Sequence, residues 1–582
     1  GIKCVYCLLL CSHSKFLQKE GNMRWKSIGK KIAKVVGVIL LVFIIIISVF
    51  LWMVSLSAPE INNQAQYQKL RRDSIQDGWK SGKSWIHKNN YGLYEMYLEG
   101  KPYERGYLHG LLAEELVVRQ EDYFVDRLNA LIPSRMYQLF LKQIVLWLNK
   151  DLDENISDEY KQEIYGVSQF ASPKYDYIAP KYQRILNYHG AHDIGHAMQN
   201  MNLVACSSFG AWNEYPADSS LLIARNFDFY AGDDFAQEKI ILFVKPDSGY
   251  KLMMVTWGGF TGITSGMNEH GLTVTLNAAP STLPSHTATP ITLISRRILQ
   301  YAKNIDEAFA IAKASKSFVS ESFLIGSALD HKAVLIEKTP DTTILYTSPK
   351  DEILSTNHFQ SQYFMNDPVN MKHKEESATV FRYNRLQQLL SEEKFHTPTS
   401  SVAILRNRLG WNNTDIGLSN ENALNQLVAH HSILFLPEKK LVWVSSNPYQ
   451  MGAYVCYDFD KIFSSDFSVS NHEQVYEADK TIAADPYLQT SEYADYVYYK
   501  VILQKLQGTS FKTTLTESEI AKFAASNPEY FDTHVHIAQY YIEHKAYEKA
   551  LPFLKTAQTK VIPRKEDRDK IVKLISMCNK EI

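Results

Sequence analysis

From Val35 to Leu56 the chain reads VVGVILLVFIIIISVFLWMVSL, 22 residues without a charge. As a helix rising about 1.5 Å per residue it covers roughly 33 Å, enough to cross a bilayer core. Arg24, Lys26, Lys30, Lys31 and Lys34 precede the run, and the next basic residue after it is Lys69. That bias puts the amino terminus in the cytoplasm and everything after about residue 57 outside, the periplasm if the cell is Gram-negative. A cleaved signal peptide is the competing reading, since Ser57-Ala58 are small, but the apolar core exceeds the usual signal length. The expectation is an uncleaved anchor over 35–56. Residues 1–22 read as an upstream extension of the reading frame, because Met23 before RWKSIGKKIAK makes a natural start, so 1–34 is extension plus basic flank. Cys11 follows three leucines, but Leu10 stands where a lipid-attachment site needs a small residue.

The remaining length suits several domains, and a formal charge of -1 with 45% apolar and 12% aromatic residues describes a packed protein. It offers no electrostatic ground for a nucleic-acid partner. Cys4, Cys7, Cys11, Cys206, Cys456 and Cys578 have no paired spacing in the globular part, which disfavours a disulfide framework or a zinc site. Residues 57–90, polar and rich in Gln, Asn and Lys, read as a stalk. The globular part begins near Tyr91; the segment YLEGKPYERGYLHGLLAEEL (97–116) reads as strand, turn and helix, and 117–200 is mostly helical by periodicity. His189, His192 and His196 fall on one helical face and could hold zinc, but Gly190, Gly195 and the absence of an HExxH frame favour a packing surface. After Cys206 the apolar runs shorten into strands at 239–245, 251–257, 262–267 and 271–277, with NEHG (268–271) as a hairpin connection. Helices follow near 290–303, 305–315 and 379–392, with further strands between and after them.

The chemistry concentrates in LVACSSFGAWNEYPADSSLLIARNFDFY, residues 203–230. A cysteine nucleophile must become thiolate, yet its unperturbed pKa is about 8.5, so a nearby cation would help. Arg225 and Asp228 are candidates, but residues three apart on a strand point to opposite faces unless the strand bulges or ends. On spacing alone, a buried structural cysteine beside an ion pair competes with a catalytic reading.

ACSSFGAW followed by ARNFDF resembles the nucleophile segment of the N-terminal-nucleophile (Ntn) hydrolases. These include bile salt (choloylglycine) hydrolase, penicillin V acylase and the self-processing penicillin acyltransferases (acyl-coenzyme A:6-aminopenicillanic acid acyltransferase). The resemblance covers roughly 90–465. It implies an α+β fold, a four-layer αββα sandwich, in which a pro-segment (91–205) precedes a catalytic domain (206–465) and Cys206 becomes the first residue of the mature chain. It further implies that Arg225 and Asp228 flank the nucleophile, that Asn277 and Asn357 help hold the oxyanion or substrate, and that Arg382 closes the set, with Arg385 the poorer match. Two departures stand out: Ala205 occupies the place of a glycine before the cut, and the pro-segment carries an anchor.

In the mechanism this implies, cleavage between Ala205 and Cys206 frees an α-amine, unperturbed pKa about 7.7–8.0, that takes the thiol proton. Backbone N–H groups at Gly258 and Gly259 join the asparagines at the tetrahedral oxyanion. The expected activity is hydrolysis of the amide bond of small N-acyl compounds (bile salt, penicillin or N-acyl amino acid type), with no cofactor and no metal. The alternatives are acyl transfer from acyl-CoA or an amide to an amine, and a membrane-tethered, non-catalytic binding protein. Residues 466–582 turn helical, and HIAQYYIEHKAYEKALPFLKTAQ carries the offsets of a tetratricopeptide hairpin, which could bind a protein partner.

Overall fold

The computed structural model describes residues 31, 34–132, 134–190, 193, 204–229, 232–280, 288–393, 395–465, 467 and 474–582. The expected extension, Arg24, Lys26, Lys30, His192 and His196 lie outside these residues. Contacts divide the chain into two units, one of residues up to Ser57 with Gln143–Asp151, the other of Ala58–Lys142 with Leu152–Ile582. In the first, Lys34–Met53 is one helix, long and apolar enough to cross a membrane.

The second unit is mixed α+β. One sheet has 11 strands, running from Asp73–Ile75 at one edge, through Tyr94–Gly100 and Ile240–Pro246 near its centre, to Thr343–Tyr346 at the other. A second sheet of seven strands has the order Glu352–Ser355, Val204–Ala211, Leu222–Phe229, His431–Leu436, Leu441–Ser445, Tyr454–Asp458 and Tyr476–Ile482. Adjacent side chains on a strand face opposite ways, and here they sort into different cores. Ile241, Phe243, Met253 and Val255 meet Ile223, Ile433, Phe435, Val442 and Val444 of the other sheet. Their neighbours Leu242, Val244 and Met254 instead pack with Leu108, Leu112, Ile294, Ile298 and Ala308 from helices. On the second sheet Ala224, Leu434 and Trp443 pack with Leu386, Leu390, Val402 and Leu405, again from helices. Strands covered on both faces read as continuous apolar runs, and KIILFVK and KLMMVTW do so.

The strands expected at 239–245, 251–257, 262–267 and 271–277 are found as Ile240–Pro246, Leu252–Thr256, Ser265–Asn268 and Leu272–Ala278. The hairpin between the last two closes on Gly271 at φ +68, with Asn268 Oδ1 accepting from His270 N and Leu272 N. The expected helices are Ile291–Tyr301, Ile305–Ala314 and Thr379–Glu392.

Two boundaries differ from the sequence reading. The expected stalk contributes three strands, Asp73–Ile75, Gly78–Ser81 and Ser84–Lys88, to the edge of the larger sheet. Only Ile75, Trp79, Trp85 and Ile86 offer apolar side chains there, too few for a periodic signal. The smaller sheet likewise continues past 465 with Tyr476–Ile482 before the terminal helices begin. Those helices share one core that includes Leu427, Tyr449 and Met451 of the preceding segment. They seat closely: a Cβ on Gly417 would lie 2.2 Å from Tyr530 N, Leu418 N donates to Asn527 Oδ1 at 3.0 Å, and Arg564 pairs with Glu421 at 3.2 Å.

Candidate active site

Cys206 lies on an inner strand, Val204–Ala211, bonded on one side to Leu222–Phe229 and on the other to Glu352–Ser355. The register sets Ala205 opposite Asp228, Cys206 opposite Phe227 and Ser208 opposite Arg225. Period two then places Cys206, Ser208, Arg225 and Phe227 on the face toward the larger sheet, and Ala205, Ser207, Asn226 and Asp228 on the face toward the helices. Arg225 and Asp228 thus take opposite faces, as their spacing requires.

The Arg225 guanidinium is fully buried between the sheets and is held by carbonyls. It donates to Thr264 O at 2.7 Å, to Leu276 O and to Ser265 Oγ, and Nη2 reaches Cys206 Sγ at 3.4 Å. His431 Nε2 meets the same Ser265 Oγ at 2.8 Å, and its Nδ1 faces His430 Nδ1 at 2.9 Å. Burial keeps both histidines neutral, well below their ordinary pKa. This pair stands in an apolar strand, LVAHHSILFL, where a run of two buried imidazoles was the available sign. Burial raises the Cys206 thiol pKa, and Arg225 pulls it back down.

On the other face, Arg382 from the helix Thr379–Glu392 donates Nη1 to the Cys206 carbonyl and to Ser207 Oγ at 3.0 Å, and Nη2 to Asn357 Oδ1 at 2.7 Å. Asn357 Oδ1 also accepts the Cys206 N–H at 2.9 Å, and its Nδ2 donates to Ala278 O at 2.8 Å. The N–H of Asn357 is fixed in turn by Thr379 Oγ1 at 2.8 Å. The nitrogen, carbonyl and sulfur of Cys206 therefore each meet a different expected residue. Asp228 is fully buried, and among the described residues neither carboxylate oxygen has a hydrogen-bond partner. Desolvation raises its pKa to about 7 against the pull of Arg382 and Arg225.

Asn277 lies on Leu272–Ala278 of the larger sheet and spends Nδ2 on Ser208 Oγ (2.9 Å), Ser355 O (3.0 Å) and Thr356 O (3.3 Å). Arg385 points elsewhere, to Asn407, Gln388 and Asn413. At the turn after Leu252–Thr256, the Gly259 N–H is donated to His109 Nε2 at 3.2 Å and the Thr261 N–H to His189 Nε2 at 3.0 Å. Accepting those bonds requires unprotonated nitrogens, and burial lowers both pKa values to about 4. His189 is thus a brace for this turn, with Nδ1 on Ile185 O at 2.8 Å. Gly258 permits a close approach: a Cβ there would sit 2.5 Å from the Leu116 backbone. Among the described residues no group of His, Cys, Asp and Glu is arranged to hold a metal.

A cavity of about 40 Å³ adjoins this site. Phe229, Phe235 and Trp257 line it and also belong to the aromatic cluster around Cys206. Val117, Gln120 and Phe124 from the helix Glu114–Leu131, with Ile185 and Tyr188 from Lys181–His189, supply the opposite wall. That wall precedes Cys206 in the chain. Phe235 sits on a short helix, Asp233–Gln237, whose Asp233 pairs with Lys500 and with Tyr449 OH, so a terminal helix supports the cavity from outside.

Residues 215–446 match the family model described as acyl-coenzyme A:6-aminopenicillanic acid acyl-transferase. The span starts after Cys206 and contains Arg225, Asp228, Asn277, Asn357 and Arg382, and the resemblance drawn from the motifs is borne out over it. An uncharacterized protein of Archaeoglobus fulgidus is 27% identical over 263 residues, covering 42% of this chain. The match spans 43% of that relative, less than half its length. Among solved structures, a Caenorhabditis elegans N-acylethanolamine-hydrolyzing acid amidase ortholog aligns with 40% of this chain and 93% of its own (TM-score 0.29, 16% identity). A mutant conjugated bile acid hydrolase from Clostridium perfringens aligns with 48% and 99% (TM-score 0.33, 12% identity).

Proposed function

From the family match and from the three separate contacts on Cys206, we propose that the chain is a self-processing Ntn cysteine amidase built as an αββα sandwich, which hydrolyses N-acyl amides. The observation that carries this is the clamp of Arg225 on Sγ, Asn357 on the nitrogen and Arg382 on the carbonyl. A structural cysteine needs none of these. In maturation the thiol attacks the Ala205 carbonyl carbon, the acyl group passes from nitrogen to sulfur and so frees the Cys206 amine, and water hydrolyses the thioester to release the Ala205 carboxylate and the thiol. In turnover that amine takes the thiol proton, and the thiolate attacks the substrate carbonyl. The leaving amine departs with a proton, and water releases the acid. Asp228, opposite Ala205, orients the new ammonium, and Arg225 stabilises the thiolate. Asn357 holds the α-nitrogen through Oδ1. An oxyanion role for Asn277 or Asn357 requires their present Nδ2 bonds to be exchanged for the substrate oxygen. Asn277 as placed braces Ser208 and the Ser355–Thr356 turn.

Hydrolysis is favoured over transfer from acyl-CoA by location. We read Lys34–Met53 as an anchor with the catalytic unit outside the cytoplasm, where water is abundant and acyl-CoA is not. The test is a purified, processed enzyme offered N-acyl amino acids, conjugated bile acids and acyl-CoA with an amine. Release of free acid is expected; transfer from acyl-CoA with no acid from any amide would overturn the reading.

Two further results are expected. Asn357→Leu removes an acceptor shared by the Cys206 nitrogen and Arg382, and should lower kcat by about 10²–10³-fold with KM little changed. Phe124→Trp fills the cavity from the pro-segment wall, so in processed enzyme it should lower kcat/KM for the longest acyl groups about tenfold and spare the shortest. An unchanged chain-length profile would show that this cavity does not receive the acyl group.

A further inference from the structure

The helix Arg135–Leu148, RMYQLFLKQIVLWL, is apolar on its exposed side as well as its inner one. Met136, Phe140, Ile144 and Trp147 recur at helical spacing with Leu139 and Tyr137 on the same side, and all six are exposed, Met136 at 83% and Phe140 at 60%. Arg135 and Gln143 are exposed as well, whereas Gln138 and Lys142 bond back to the protein. Gln138 Nε2 donates to Ile132 O at 2.6 Å and to Asn129 Oδ1 at 3.0 Å, and Lys142 Nζ to Tyr177 O at 3.1 Å. A protein surrounded by water rarely presents so continuous an apolar face.

What covers it is indicated by the unit that contains Gln143–Asp151 and the apolar helix. Phe50, in the last turn of Lys34–Met53, stacks on Trp147 with centroids 6.1 Å apart and planes 10° apart. Lys150 lies over the same Trp147 ring at 4.9 Å. A tryptophan and a lysine gathered at the end of an apolar span are the residues that anchor at a membrane–water boundary. From there the exposed face continues along the same helix.

We propose that Arg135–Leu148 lies along the bilayer surface with Met136, Leu139, Phe140, Ile144 and Trp147 sunk into it, a second membrane contact beside the anchor. This rests on reading Lys34–Met53 as an anchor. The contact tethers the pro-segment, the part of the chain that also walls the cavity, at the lipid surface.

The test uses the full chain, with Cys4, Cys7 and Cys11 replaced by serine, reconstituted into phosphatidylcholine vesicles. Cys206, Cys456 and Cys578 are buried, and the chain with no added cysteine serves as the labelling blank. A polarity-sensitive fluorophore is placed at Met136→Cys or Phe140→Cys, with Tyr363→Cys as an exposed control. At 136 and 140, but not at 363, the emission should shift to the blue. Lipid-borne nitroxides should quench it, shallow positions more than deep ones, because an interfacial helix reaches only about 5–10 Å into the boundary. A chain that floats with the vesicles while the labels at 136 and 140 report water would overturn the docking and leave the anchor standing. A chain that does not float would overturn both. Blue-shifted emission without lipid quenching, together with Phe140→Cys disulfides between copies, would overturn it in favour of self-association.

Discussion

Cys206→Ala should purify as one uncut chain, whereas the unsubstituted protein should separate into a fragment ending at Ala205 and the 377 residues from Cys206 to Ile582 (582 less the first 205). Amidase activity should fall by about 10⁴-fold or more, as loss of a covalent nucleophile does. Intact mass and amino-terminal sequencing of purified protein read the first effect, and acid release from an N-acyl amide reads the second. The fragments should stay together. Gly258 packs so closely on the Leu116 backbone that a Cβ would meet it at 2.5 Å, and the strand Tyr94–Gly100 is bonded in parallel to Ile240–Pro246 across the cut. A strand central to the larger sheet cannot leave without breaking that sheet. Cys206→Ser keeps a nucleophile in the same clamp and should retain part of the cleavage and little of the turnover. Cleavage of purified Cys206→Ala at this bond would show that another group cuts it.

Much of the frame was legible in the sequence for an identifiable reason. KIILFVK, KLMMVTW and GLTVTLN are strands buried on both faces, and their continuous apolar runs are bounded by glycine turns. The strands of 73–88 give no periodic signal because an edge needs few apolar side chains, and Ile75, Trp79, Trp85 and Ile86 are spread among polar residues. The opposed directions of Arg225 and Asp228 followed from period two. The identity of Asn357 and Arg382 did not follow from spacing; it came from resemblance. What neither could supply was competition for hydrogen bonds. Gly259 N is taken by His109, distant in sequence, and Asn277 Nδ2 by Ser208 and Ser355. Such pairings are fixed by how the sheets and helices stack, which no local pattern records.

In the uncut protein, held as Cys206→Ala, Asp228→Asn should stabilise the fold at pH 8 by about 3 kcal/mol more than at pH 5. The carboxyl is raised from its ordinary 3.8 to about 7; at 1.36 kcal/mol per unit the full deficit is about 4 kcal/mol, part of which is already present at pH 5. The folded chain holds the proton up to about pH 7, while the unfolded chain gives it up near pH 4. Between those limits the folded state binds the extra proton, so stability falls as the pH rises through this window, and above it the full deficit remains. Asparagine has no charge to form and escapes the deficit. The cause is burial of both oxygens without a hydrogen-bond partner among the described residues. Cleavage should reverse the sign. It would replace the Ala205–Cys206 amide opposite Asp228 with an ammonium, which would supply the missing partner and pull the carboxyl down, so in the cut enzyme Asp228→Asn should be destabilising at pH 8 and should lose most activity. Urea denaturation of both forms at the two pH values reads the difference. A pH-independent gap between the uncut chain and its Asp228→Asn variant would mean that the carboxyl is solvated, and that the precursor does not hold it in readiness for the amine.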